Sequence, residues 1–312
     1  MTNELPPRTI TFEKAAEFVP QPSSVYVHGK SVEERSGHVS GWLESVRDTV
    51  VVEVVREDRD KIVLQCPRRG QLTISLRSAS QLSQFWTSLP VEAVYLDITG
   101  LRHGTWAGLL RGLENAQCRM YAVYVEPIDY QMSPLPTENE IFDLSEKIEG
   151  VAPLPGFARL RREQQAGCFV PLLGFEGTRL LYLINQLEPP EQKIIPIVGV
   201  PGYRCEYPFV AYLANQKALR DSQAWRRVRF AAAECPFDVM NVLAGIHREN
   251  SREILTVAPI GTKPQALGAV LFAIRNPDKI ELVYDHPVRK AKRTRGTSRL
   301  HLYQIGCVLG RQ

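Results

Sequence analysis

Short apolar runs alternate with amphipathic segments along most of the chain. Runs such as VVVEVV (Val50 to Val55), KIVLQC (Lys61 to Cys66) and KIIPIVGV (Lys193 to Val200) have the length and the β-branched content of strands. Between such runs, TRLLYLINQL and FDVMNVLAGIH repeat apolar residues every three or four positions, which predicts helices. Strands that alternate with helices predict an α/β fold with a mostly parallel sheet.

The same arrangement of elements occurs twice. Residues 95–127 read YLDITGLRHGTWAGLLRGLENAQCRMYAVYVEP, and residues 256–287 read TVAPIGTKPQALGAVLFAIRNPDKIELVYDHP. Each segment is an apolar strand, a turn of small residues, an apolar helix and a second apolar strand that ends at a proline. That order is typical of a βαβ unit. The flanking strands and helices extend the match, so the sequence predicts two tandem Rossmann-like domains, each a doubly wound and mostly parallel sheet, related by internal duplication.

The length and the loops set the expected domain boundaries. A chain of 312 residues is long enough for two ordinary domains. We expect a lead-in over residues 1–20, a first domain over 21–135, a linker over 136–166 and a second domain over 167–312. The joint between the domains, over residues 131–166, contains MSPLPTENE and VAPLPGF, whose prolines disfavour regular structure. FDLSEKI between them is a candidate short helix.

Composition narrows the class of protein. Hydrophobic residues make up 44% of the chain and charged residues 23%, as in globular domains, and no run is long and apolar enough for a bilayer. The start lacks the features of a secretory signal, so we expect a cytoplasmic protein. Six scattered cysteines form no CxxC pair, and we expect no metal site and no cofactor. A net charge of +4 does not by itself indicate nucleic-acid binding.

The most specific motif is Gly261-Thr262-Lys263-Pro264, directly between an apolar strand and an apolar helix. Glycine permits a tight turn and a close approach to a ligand. Proline suits the first turn of the helix, whose N–H groups favour an anion. Threonine adds a hydroxyl group and lysine a positive charge, so the motif predicts a phosphate contact. An ordinary strand-to-helix turn is the alternative.

The strand–GTKP–helix element resembles the GGTK-type loop of CARF (CRISPR-associated Rossmann-fold) sensor domains. The resemblance covers residues 252–290 well, and in the rest of the chain only the order of strands and helices matches. Ile260 stands where the family usually has a first glycine. It implies binding of a cyclic oligoadenylate-type messenger by Gly261, Thr262 and Lys263. A second ligand loop implied by the resemblance is GFEGTR, with Gly174, Glu176, Thr178 and Arg179. Family members usually dimerise, and two fused copies would supply that symmetry within one chain.

Further candidates follow other strands. In the first half, Asp97 and Thr99 lie in the turn that corresponds to GTKP, where Asp97 is a candidate ribose ligand, base or helix cap. In the second half, Arg204 lies in the loop GVPGYRCEYPF after a strand. A basic run follows the second strand of the GTKP unit; Arg289 and Arg293 belong to it, and His286 directly precedes it. Phosphate binding and a solvated loop both remain open for this run.

Three functions are compatible with these features. The first, which the CARF resemblance implies, is a sensor or accessory subunit of a bacterial antiviral defence system. It would bind a nucleotide-type anionic ligand and signal through a separately encoded effector or a homo-oligomer. The second is an enzyme that acts on a nucleotide, such as a metal-independent ring nuclease. The third is a structural subunit that contacts nucleic acid or protein through its basic loop.

Overall fold

The computed structural model describes residues 7–31, 33–67, 69–89, 91–114, 116, 118–137, 140–159 and 167–310. The chain forms two compact units. The first unit comprises Met1–Tyr130 together with Thr294–Gln312, and the second comprises Gln131–Arg293.

The strands, numbered in chain order, are β1 (Thr9–Phe12), β2 (Ser24–Gly29), β3 (Thr49–Glu57), β4 (Lys61–Cys66), β5 (Gly70–Ser75), β6 (Ala93–Asp97), β7 (Arg119–Val125), β8 (Asp129–Tyr130), β9 (Met132–Thr137), β10 (Glu140–Phe142), β11 (Ser145–Ile148), β12 (Ala152–Pro153), β13 (Cys168–Pro171), β14 (Ile197–Gly199), β15 (Arg229–Ala231), β16 (Leu255–Ala258), β17 (Ile280–Tyr284), β18 (Pro287–Arg289), β19 (Thr294–Arg295) and β20 (Leu300–Gln304).

The α-helices are α1 (Ala79–Thr87), α2 (His103–Gly112), α3 (Gly177–Leu187), α4 (Tyr207–Asp221), α5 (Pro236–Glu249), α6 (Lys263–Arg275) and α7 (Gly306–Leu309). Short 3-10 helices occur at Ala15–Glu17, Glu34–Gly41, Glu191–Lys193 and Ala224–Arg227.

The first unit is built on one mixed sheet with the strand order β1-β20-β7-β6-β2-β3-β4-β5. The four central strands β7, β6, β2 and β3 are parallel, and the outer strands pair antiparallel on both sides. After β2 the chain moves to β3 on one side and later returns to β6 on the other. The carboxyl ends of β2 and β6 therefore form the point where the strand order reverses, at which open α/β sheets bind ligands.

Aromatic side chains fill the core on one face of this sheet. Tyr26, Tyr95 and Tyr121 lie on neighbouring strands, and the rings of Tyr95 and Tyr121 stack with centroids 5.0 Å apart. Trp42, just after the 3-10 helix Glu34–Gly41, packs edge-on against Tyr26 at 4.8 Å. The 3-10 helix thus covers this face of the sheet in place of the α-helix that usually connects two parallel strands.

The second unit has a parallel sheet. Hydrogen bonding gives the order β12-β17-β16-β13, and bridges from Phe169 to Ile194 and from Leu172 to Ile197 bring the β14 segment, paired with β15, beside β13. Strands β13 to β17 run parallel and β12 pairs antiparallel with β17. The strand order reverses between β13 and β16, so the loops after these two strands meet at the ligand-binding edge expected for such sheets.

The predicted repeat occupies the same place in each unit. The segment β6-α2-β7 lies beside β2, the first parallel strand of its sheet, and β16-α6-β17 lies beside β13, the first parallel strand of the other. In both units an antiparallel strand flanks the last parallel one, β20 in the first and β12 in the second. The prediction of a mixed α/β protein with largely parallel central strands is confirmed.

The unit boundaries differ from the predicted domains. Strand β20, expected to end the second domain, pairs with β7 and β1 in the sheet of the first unit. The predicted linker is not irregular throughout, because its described residues include the end of β9 and all of β10, β11 and β12. In FDLSEKI, the residues from Ser145 onward form β11 and pair with β18, so the predicted short helix is wrong. Residues 138–139 and 160–166 of the predicted linker lie outside the described residues.

A search of the described helices for one with the length and apolar character needed to cross a bilayer finds none.

Candidate functional site

The two candidate ligand loops, which follow β13 and β16, are in contact at the point where the second sheet reverses its order. A methyl group on Gly174, in the loop after β13, would lie 2.5 Å from the carbonyl oxygen of Ile260, in the loop after β16. A methyl group on Gly261 would lie 3.0 Å from the carbonyl oxygen of Leu173. Both glycines are therefore required for the close approach of the two backbones. Asn215 of α4 also donates from Nδ2 to the carbonyl oxygen of Gly174, at 2.8 Å.

Thr262 and Gln265 form a reciprocal cap at the start of α6. The hydroxyl oxygen of Thr262 accepts from the Gln265 N–H at 3.3 Å, and Oε1 of Gln265 accepts from the Thr262 N–H at 3.5 Å. The Thr262 hydroxyl also donates to the carbonyl oxygen of Ala233 at 2.5 Å. Pro264 has no N–H to donate to a ligand. The side chain of Lys263 is buried and is not exposed at the edge of the sheet. Most donors that were expected to bind a phosphate are thus used inside the protein, and the motif acts as a helix cap.

We expect Thr262→Ala to lower the free energy of unfolding of the second unit by about 1 kcal/mol, because the cap of α6 is lost. Urea denaturation would measure the change. Thr262→Ser keeps the hydroxyl group and serves as the matched control, with a loss well below that of the alanine variant. Equal stability of the alanine variant and the wild type would contradict the capping role.

Arg179 is committed to a buried ion pair. Its Nε and Nη2 atoms donate to the two carboxylate oxygens of Asp285 at 2.7 and 2.6 Å. Asp285 is fully buried, and the guanidinium group lies over the ring of Tyr284. Burial alone would lower the pKa of Arg179, but the charge and hydrogen bonds of Asp285, with smaller effects of Tyr284 and Glu176, together raise the pKa above its usual value. Arg179 therefore holds α3 against the end of β17 and is buried, whereas the resemblance implied a ligand contact for it.

The two predicted ligand residues at the start of α3, Glu176 and Thr178, differ in their surroundings. Glu176 accepts hydrogen bonds from the Leu144 N–H at 3.1 Å and from the Ser145 hydroxyl at 2.9 Å, so it anchors the segment between β10 and β11. Thr178, in the first turn of α3, is exposed. The described residues provide no side-chain cap at this helix start. A helix N-terminus without such a cap offers N–H donors to an anion.

Arg204 lies in the loop after β14, at the same edge of the sheet. Its side chain is 42% exposed, lies 3.9 Å from Glu206 and is positioned over the ring of Tyr207. Tyr207 itself is buried against Phe175, with ring centroids 5.0 Å apart. Tyr207 is therefore part of an aromatic cluster rather than an exposed surface for stacking a base, whereas Arg204 keeps a charge at the edge.

The basic run after β17 does not form a single loop. Arg289 lies in β18 opposite Ser145, and the ammonium group of Lys290 pairs with the carboxylate of Asp143. His286 has a left-handed backbone, with φ of 45°, and its ring contacts that of Tyr284 edge-on. Arg293 is half-buried at the end of the second unit. The predicted ligand residues His286, Arg289 and Arg293 thus follow the last parallel strand, but the run is folded into strands.

The predicted residues of the first unit are buried. Asp97 is 1% exposed and accepts hydrogen bonds from the Thr99 N–H at 2.8 Å and from the Tyr26 hydroxyl at 3.0 Å. Thr99 in turn accepts from the Val125 N–H at 3.0 Å through its hydroxyl group. Helix α2 begins at His103, after the N-cap residue Arg102, so Asp97 does not cap it. Both predicted residues join the ends of strands and contribute structure rather than an exposed contact.

Sequence reasoning missed two buried polar networks beside them. The Tyr26 hydroxyl group lies 3.0 Å from Nε2 of His38, which also lies 3.5 Å from Asp97. Burial, and next the Asp97 carboxylate, raise the pKa of Tyr26 well above its usual value. In the second network, Arg35 donates to Glu33 and to the Val125 carbonyl oxygen at 2.8 Å. No local pattern reveals these networks, because each joins the segment Glu33–His38 to strands that are distant in sequence.

The exposed groups at the carboxyl edge of the second unit are compatible with a small anion. The start of α3, Thr178 and Arg204 supply donors and a positive charge, while Thr262, Glu176 and Arg179 hold the scaffold. Neither a scan against models of protein families nor a search of curated proteins found a match to the chain.

Proposed function

We propose that the protein is a Rossmann-like sensor or accessory subunit that binds a nucleotide-type anionic ligand and signals through a partner chain. The observation that carries this proposal is the contact of the loops after β13 and β16 at the point where the strand order reverses. In open α/β sheets ligands bind outside the carboxyl ends of the strands at this point. The antiviral setting follows from the CARF resemblance alone.

The shared topology supports an internal duplication. In each unit a glycine at or shortly after the end of the first parallel strand lies against the loop that follows the returning strand: Gly29 against Gly100, and Gly174 against Ile260. A methyl group on Gly100 would lie 1.9 Å from the carbonyl oxygen of Gly29. The two units have diverged in their connections, because a hairpin of β4 and β5 in the first replaces β15 in the second.

The anion would bind beside α3 rather than beside α6. The first turn of α6 uses the N–H groups of Thr262 and Gln265 in its own cap. The first turn of α3 lacks a side-chain cap among the described residues and carries the exposed Thr178. Arg204 adds a charge of the right sign for a phosphate group. This position is that of the first strand-to-helix turn, where dinucleotide-binding sheets hold phosphates.

We expect nucleotides, including cyclic oligonucleotides, to raise the Tm of the wild-type protein in a thermal-shift screen. A ligand at about 100 times its Kd stabilises the native state by about 2.7 kcal/mol. A unit of this size then melts roughly 5–10 °C higher. Arg204→Ala should reduce the shift, because a charge-assisted contact is lost. Since Lys263 is buried, a Lys263→Ala variant changes stability as well and is the less direct test.

Arg220→Ala is the matched control for Arg204→Ala. Arg220 is also exposed, but it lies in the last turn of α4, whereas Arg204 precedes the first turn. The control variant should keep the full shift. If no nucleotide changes the Tm, or if both variants lose the shift equally, the proposal is wrong. Chromatography of the ligand after incubation distinguishes a sensor, which leaves the ligand intact, from an enzyme.

A further inference from the structure

The first unit contains a cavity that none of the predicted residues lines. Its volume is about 510 Å3, and it lies between the 3-10 helix Glu34–Gly41 and strands β2, β3 and β4. Sites for small organic ligands typically measure about 300–1,000 Å3. All of its lining residues belong to the first unit, so the cavity is separate from the edge of the second unit discussed above.

A row of polar side chains crosses the sheet side of this cavity. His28 of β2 lies opposite Glu53 of β3, and Glu53 lies opposite Gln65 of β4. Residues directly opposite one another on neighbouring strands share a face of the sheet. Lys30 follows two residues after His28, and its ammonium group lies 3.4 Å from Oε1 of Glu53. An imidazole, a carboxylate, a carboxamide and an ammonium group therefore line the cavity together.

His28 is the side chain that indicates a ligand. It is 6% exposed, and its Nδ1 atom is buried with no hydrogen-bond partner among the described residues. A buried polar atom without a partner costs about 1–3 kcal/mol. Burial lowers the pKa of His28, against smaller opposite effects of Asp97 and Glu53. The ring is therefore neutral at pH 7 and has one donor and one acceptor nitrogen.

Aliphatic side chains line the cavity next to these polar groups. Val39 and Leu43 contribute them in and just after the 3-10 helix, and Val51 of β3 contributes one on the sheet side. The rest of the helix side consists of small residues: Ser36, Gly37 and Ser40. Val39 is buried, and Leu43 is 44% exposed at the opening. Aliphatic groups beside a row of hydrogen-bonding groups suit a flat ring that is apolar on its faces and polar on its edge.

We propose that this cavity binds the guanine-type base of a nucleoside or nucleotide. The two oxygens of Glu53 only accept hydrogen bonds, and the adjacent Lys30 only donates them. The edge of guanine that carries N1–H and the N2 amino group presents two donors beside the O6 acceptor, and that pattern complements Glu53 and Lys30 together. Adenine offers a single amino group beside an acceptor nitrogen, and so it makes fewer of these bonds. His28 would hydrogen bond the ring from the buried end.

The test is isothermal titration calorimetry of the full chain with guanosine, inosine and adenosine. Inosine differs from guanosine by the N2 amino group alone, so the expected order of affinity is guanosine, inosine, adenosine. Loss of one hydrogen bond to a charged group weakens binding on the order of 10- to 100-fold. Equal affinities for guanosine and adenosine, or no heat with guanosine, would overturn the assignment.

Two variants of the cavity make the test specific. Glu53→Gln replaces one acceptor oxygen by a donor, so guanosine should bind on the order of 10- to 100-fold more weakly and the preference over inosine should disappear. His28→Phe should abolish guanosine binding while the Tm stays equal or rises, because an apolar ring removes the unsatisfied nitrogen. Unchanged guanosine binding by either variant would refute the proposal.

Arg204→Ala separates this site from the edge of the second unit. It should leave guanosine binding unchanged, because Arg204 belongs to the other unit. Failure of guanosine to bind would therefore not bear on the thermal shifts attributed to Arg204. Loss of guanosine binding in Arg204→Ala would contradict a site confined to the first unit.

Discussion

Replacing Asp285 by alanine is expected to lower the free energy of unfolding of the second unit by about 3–5 kcal/mol, because the variant leaves the buried guanidinium group of Arg179 without its counter-charge. The pair is bidentate, and Asp285 is fully buried. Water cannot replace the lost carboxylate without opening the contact between α3 and the end of β17. Urea denaturation of the purified variant would measure the loss.

Glu249→Ala provides the control for this prediction. Glu249 also pairs with an arginine, Arg229, at 2.9 Å, but both side chains are about half exposed. Exposed pairs contribute less than about 1 kcal/mol. A double variant, Arg179→Leu with Asp285→Leu, should recover most of the stability that Asp285→Ala loses, since it buries no charge. An Asp285→Ala variant as stable as Glu249→Ala would contradict the role assigned to the pair.

The class of fold and the position of the loops could be predicted because both follow from local patterns. Apolar runs and helical periodicity identify strands and helices one at a time. A parallel sheet then brings the loop with Gly174 and the loop with Gly261 to the same edge, since both follow strands. The strand–turn–helix–strand patterns also identified β6-α2-β7 and β16-α6-β17 as βαβ units with parallel strands.

Pairings between distant parts of the chain could not be predicted in the same way. Arg179 and Asp285 are 106 positions apart in the sequence. Strand β20, near the end of the chain, pairs with β7, which lies in the first half of the sequence. His28, Glu53 and Gln65 form a row only because the registers of β2, β3 and β4 align them. A shift of one residue in any strand would turn its side chain to the other face.

One local signal was available and was interpreted differently. Thr262-Lys263-Pro264-Gln265 fits the capping-box pattern, in which a threonine is followed three residues later by a glutamine. The sequence prediction favoured a phosphate contact for the same residues. Both interpretations use the same N–H groups, and the cap satisfies them within the protein. A motif at a helix start therefore indicates a ligand only when its own side chains leave the donors available.

The close packing of α3 on α4 also leads to a large expected effect. A methyl group on Gly177, the first residue of α3, would lie 1.8 Å from the carbonyl oxygen of Ala214. No rearrangement of a side chain relieves that overlap, because the atom it meets belongs to the backbone. We expect Gly177→Ala to cost about 3 kcal/mol, at the upper end of the usual range for overpacking, and to be measurable by urea denaturation.

Gly245→Ala is the matched control, in the same unit and also within a helix. A methyl group at Gly245, in α5, would meet nothing within 4 Å. Alanine at an open helical position should stabilise the unit by about 0.5–1 kcal/mol. Glycine-to-alanine substitution should therefore lower the free energy of unfolding at Gly177 and raise it at Gly245. Equal effects on the free energy of unfolding would show that Gly177 is not constrained by its contact with α4. Because α3 begins beside the proposed anion site, Gly177→Ala should also weaken any nucleotide-dependent rise in Tm, whereas Gly245→Ala should preserve it.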